Sequence, residues 1–138
     1  MALNPYQKNA LQVQMRFLER TLHQARRWLR HPPEDGLLTR YRPVSDSLRP
    51  RLEMLIDQML GEIAVLVEKF GLQPHTEDMG SFLSAEMSGA WSDLSDMLSR
   101  KLKRYGEVDP ALSETLDPHL ARLIRLALQV SQAAQEER

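Results

Sequence analysis

One apolar spacing recurs four times along this chain of 138 residues and constrains its fold more than any other feature. Leu11, Met15, Leu18, Leu22, Ala25 and Leu29 step by four, three, four, three and four. Leu52, Ile56, Met59, Ile63, Leu66 and Phe70 repeat the rhythm, as do Leu116, Leu120, Leu123, Ala127, Val130 and Ala134. A looser version runs through Leu83, Met87, Ala90, Leu94, Leu98, Leu102 and Tyr105. Such steps hold side chains on one face of an α-helix and form the seam of helices packed nearly parallel. The expected fold is all-α, an up-and-down four-helix bundle forming a single domain over residues 1–138, with a long first connection between helices.

The punctuation agrees with four helices. Asn4, Pro5 and Gln7 form a start signal, with Asn4 as cap and Gln7 as its capping-box partner. The first helix should then run to Arg30, where His31-Pro32-Pro33 stops it. The second should begin near Ser47 and end at Phe70, before Gly71. A third is expected from Gly80 or Ser81 to Tyr105, closed by Gly106. Asp109-Pro110 opens a short helical turn, and Asp117-Pro118 opens a fourth helix that ends near Gln135. The connection from Pro32 to Arg49 is long for a compact bundle. Its Leu37, Leu38, Tyr41 and Val44 supply apolar content for docking against the helices.

Composition excludes several kinds of chemistry. There is no cysteine, which rules out disulfides, thiolate zinc sites and cysteine nucleophiles. The residues from Met1 to Lys8 carry no signal-peptide pattern, and no apolar run is long enough to span a bilayer, so a cytoplasmic protein is expected. None of the four histidines stands in the Glu-x-x-His pattern of a metal-binding bundle, and no metal or cofactor is expected. No nucleophile elbow, phosphate loop or triad spacing appears, so an enzyme is the least favoured class. A serine row on the third helix, Ser81, Ser84, Ser88, Ser92, Ser95 and Ser99, reads first as a solvated flank. Its alternative is a small-residue face that admits a close helix neighbour.

Two features point to binding. Val13, Phe17 and Trp28, with Ala10 nearby, project from a side of the first helix other than its seam, and Trp91 sits at the edge of the third stripe. The plain explanation is contact with a neighbouring helix or with the docked Leu37-to-Val44 segment; since large aromatics anchor interfaces, the surface also suggests a small interaction or structural protein that self-associates, as a homodimer or with another protein. The second feature is electrostatic. Basic residues crowd Arg16 to Arg51, whereas acidic ones crowd Leu52 to Leu98, although the net charge is only −1. In an alternating bundle, Arg26, Arg27, Arg30, Arg49, Lys101 and Arg104 gather at one pole, where they could bind a nucleotide or nucleic acid. Glu68, Glu77, Asp78, Glu86, Glu136 and Glu137 gather at the other. The simpler explanation of both is pairing between oppositely charged helices and complementation of helix dipoles.

Overall fold

The structure, a computed structural model, describes residues 2–136; Glu137, placed at the acidic pole above, lies outside them. The secondary structure among these residues is entirely helical. The elements are α1 (Pro5–Arg30), α2 (Arg49–Phe70), α3 (Met79–Ser95), α4 (Ser99–Leu102), a 3-10 turn (Lys103–Tyr105), α5 (Leu112–Thr115) and α6 (Asp117–Gln135). They fall into two compact units, one ending at Pro74 and the other beginning at His75.

In the first unit, α1 starts where its cap signal lies. The Gln7 N–H donates to Asn4 Oδ1 at 2.8 Å, and the Asn4 N–H donates to Gln7 Oε1 at 3.0 Å. Two of the donors that a helix start leaves unpaired are thereby satisfied. At the far end of the hairpin, α2 stops at Gly71, whose φ of 62° is the left-handed conformation that favours glycine. The Leu72 N–H then reaches back to the Val67 carbonyl at 3.0 Å. Gln12 Oε1 accepts from the Gln73 N–H at 2.7 Å, which ties this turn to α1 and leaves Leu72 buried. The pair is antiparallel: Ala25 and Leu29 line one cavity with Leu52 and Ile56. Leu22 and Ile63 are its most buried helix residues.

In the second unit, α3 and α6 pack antiparallel along a small-residue seam. Gly80 lies against Ala134, and Ser84 against Ser131. A Cβ built on Gly80 would stand 2.7 Å from the Ala134 carbonyl oxygen, so glycine is what permits this approach. The α6 residues turned inward are Leu120, Ile124, Ala127, Ser131 and Ala134, while Leu123 and Val130 of the expected stripe are exposed. Leu83 of the expected α3 stripe is exposed too. The serine row is therefore not uniformly a solvated flank. Ser84 is buried, and the two hydroxyls satisfy each other at 2.9 Å, with Gln135 Nε2 donating to Ser84 Oγ at 2.8 Å.

The third helix is also shorter than its periodicity predicts. It ends at Ser95, and Leu98 is extended (φ −57°, ψ 149°) before α4 begins. The break has a polar cause. Asp117, the first residue of α6, accepts from the Ser99 N–H at 2.8 Å and from Ser99 Oγ at 2.6 Å. A carboxylate that captures this N–H takes the place of the carbonyl four residues back, which a continuous helix would offer.

Candidate interaction surface

The α1 residues singled out by sequence share a face. Ala10, Val13, Phe17 and Trp28 follow one helical row, offset from the Leu11-to-Leu29 row that meets α2, and Tyr6, not marked by sequence, extends it. Phe17 remains 50% exposed, Trp28 46% and Tyr6 87%, whereas Val13 is half-buried. The Arg20 guanidinium lies 5.7 Å from the centre of the Phe17 ring, a cation–π distance. Trp91 belongs to the second unit, where it is 43% exposed on α3.

The connection between α1 and α2 covers only the C-terminal end of this face. The rings of Trp28 and Tyr41 meet with centroids 6.3 Å apart and planes tilted by 58°. Around them, Leu29, Pro33, Val44, Leu52 and Ile56 line an apolar cavity of about 390 Å³, with Arg42 its one charged lining residue. Tyr41 and Val44 thus lie against the helices, although Tyr41 keeps 40% of its surface exposed. Leu37 and Leu38 do not, and both are fully exposed. Local bonding explains this. The Gly36 N–H donates to the Thr39 carbonyl at 2.9 Å, and the Tyr41 N–H donates to Asp35 Oδ1 at 2.9 Å. These bonds close a turn whose two enclosed residues, Leu37 and Leu38, stand clear of their own chain.

The basic residues are distributed between the units. Arg26, Arg27 and Arg30 line a pocket of about 310 Å³ with His23 and His31, at the end of α1. Two of them already have carboxylate partners on α2: Arg26 Nη2 lies 3.2 Å from Asp57 Oδ1, and Arg30 Nε lies 3.1 Å from Glu53 Oε1. Arg49 pairs with Asp46 at 2.7 Å. Lys101 and Arg104 belong to the second unit, where Arg104 Nε donates to the Lys101 carbonyl and its Nη2 lies 3.9 Å from Asp96. Sequence had grouped these cations by their spacing from helix ends; the α2 carboxylates that meet two of them were visible only as a block of opposite charge.

The pKa of Asp117 is shifted down. The Ser99 hydroxyl and N–H bonds hold its carboxyl below the ordinary carboxylate value, and Arg100 adds a smaller push in the same direction. Sequence marked Asp117 as a helix start but not as the acceptor for a residue eighteen positions earlier. No cluster of three or more metal-ligating side chains occurs among the described residues, nor any helix long and apolar enough to cross a membrane.

Nothing in the family models, the curated proteins or the solved structures matches this chain significantly.

Proposed function

We propose that this protein is a helical interaction module that self-associates through the second apolar face of α1. The observation that carries this reading is the row of Tyr6, Phe17 and Trp28, each substantially exposed, on a helix whose other apolar face is already used by α2. Surface area points the same way. The structure exposes 11229 Å². Two compact domains of the two units' masses, credited with no contact between them, would expose roughly 8,900 Å² in total. The surplus exceeds the roughly 800 Å² per partner that a standard interface covers. A homodimer, with two such faces brought together, uses that surface most directly.

The test is solution mass. The parent chain is expected to run as a dimer, and Phe17→Ser with Trp28→Ser as a helical monomer by light scattering and circular dichroism. A parent that is monomeric at every concentration, or a double variant of unchanged mass, sinks the reading.

A second reading is favoured by the pocket of His23, Arg26, Arg27, Arg30 and His31, which has no acidic lining residue. It would bind an anion such as a nucleotide or nucleic acid, with Arg27 as the exposed cation. Its mark is binding that weakens steeply with salt and with Arg27→Glu. An absence of binding to nucleotides and oligonucleotides at low salt removes it.

A further inference from the structure

We infer that the turn carrying Leu37 and Leu38 inserts into the Trp28–Tyr41 cavity of a second copy of this chain, so that two chains exchange turns across a two-fold axis. The inference rests on the self-association reading and names what each copy contributes. Knob and hole belong to one continuous segment. The cavity of about 390 Å³ is walled by apolar side chains apart from Arg42 and lies three residues beyond Leu38, at Tyr41. Two leucines with essentially all of their surface exposed are costly to leave in water. Their own chain does not cover them, because the Gly36–Thr39 and Asp35–Tyr41 bonds hold the turn closed. A patch that contains both a protrusion and a matching recess is self-complementary, which is the requirement for a two-fold interface.

Charge favours a second copy over an unrelated apolar partner. Glu34 and Asp35 precede the leucines, while Arg40 and Arg42 follow them. The turn folds these limbs antiparallel. In the proposed dimer the acidic limb of one copy lies beside the basic limb of the other, and the two-fold axis repeats that contact, with Arg42 at the cavity that receives the partner's leucines. The other two-fold pairing sets acidic limb on acidic limb and is disfavoured by like charge.

The experiment compares the parent chain with Leu37→Ser/Leu38→Ser by light scattering across a dilution series. Both positions are fully exposed, so the variant should keep the parent's circular dichroism. Its self-association should weaken at least about a hundredfold. A variant that dimerises like the parent, while Phe17→Ser does not, overturns turn exchange and leaves the α1 face as the interface. A parent that never dimerises overturns both. Charge reversal tests the geometry. Glu34→Arg and Arg42→Glu should each self-associate more weakly alone, because each sets like charges at positions 34 and 42 across the two-fold axis. Mixed in equal amounts they should form a heterodimer, since both contacts between positions 34 and 42 become opposite in sign. A mixture that remains monomeric overturns the two-fold pairing.

Discussion

Between α1 and α2 the contact is built on Leu22, Ala25, Leu29, Leu52, Ile56 and Ile63, while Met59 of the expected stripe is exposed, and it is fringed by the Arg26–Asp57 and Arg30–Glu53 pairs. Between α3 and α6, beside Leu120 and Ile124, it runs through Gly80, Ser84, Ala127, Ser131 and Ala134 and holds a buried hydroxyl pair. Both are antiparallel helix pairs, yet their tolerances differ. Large aliphatic side chains adjust to a neighbour and hold backbones apart, so the first pair has slack and an apolar face to spare. Small residues bring backbones together and leave nothing that can yield, so the second pair is specified by what is absent from its side chains.

Two glycines break this comparison most sharply. Gly80→Ala places a methyl group against the Ala134 backbone and should destabilise the protein by about 1–3 kcal/mol, the usual cost of overpacking. Gly61, inside α2, faces open space. Gly61→Ala should therefore stabilise by about 0.5–1 kcal/mol, through helix propensity alone. Thermal and urea unfolding monitored by circular dichroism measure both. Equal responses at the two sites would mean that the small-residue seam is not the constraint.

A smaller effect is expected at the hydroxyl pair. Ser131→Ala removes the partner of Ser84 and should cost about 0.5–1.5 kcal/mol, less than the glycine change because Gln135 still reaches Ser84. Ser84→Ala combined with Ser131→Ala should cost less than the sum of the single changes, because neither hydroxyl is then left unmatched. Smaller again are the ion pairs that fringe the first hairpin. A double-mutant cycle on Arg30 and Glu53 should give about 0.2–1 kcal/mol, reduced by added salt. The serine pair, shielded from solvent, should not respond to salt.

The two hairpins also differ in how much of them sequence reveals. Capping boxes and glycine stops are local, which is why Asn4, Arg30, Phe70 and Gln135 mark helix ends in both readings. Heptad-like spacing identifies the α1 seam because large apolar residues occupy it. The same criterion rotates the α6 seam toward Leu123 and Val130, for it assigns no inward weight to Ser131 or Gly80. Small residues carry their information in a partner's proximity, which one helix alone does not display. The partners of the arginines are hidden for a related reason: Asp57 and Glu53, which meet Arg26 and Arg30, lie on another helix. The end of α3 at Ser95 is the extreme case, since its cause stands eighteen residues beyond Ser99.

That tertiary cap gives the last and smallest expected effect on global stability, because it fastens only the start of α4 to the start of α6. Its signature is pH. The Asp117 carboxyl is held below its ordinary value by Ser99, so folding favours the ionised form. Its contribution is fully present above the unfolded-state value of about 4 and is lost as pH falls through the lowered folded-state value. Asp117→Asn should remove this contribution and flatten the acid limb of the stability profile. Hydrogen exchange gives the local readout: the Ser99 amide, protected by the carboxylate in the parent, should exchange faster in Asp117→Ala, with the Ser84 and Ser131 amides unchanged. If Ser99 exchange were unaffected, α3 would owe its end at Ser95 to its own residues and not to α6.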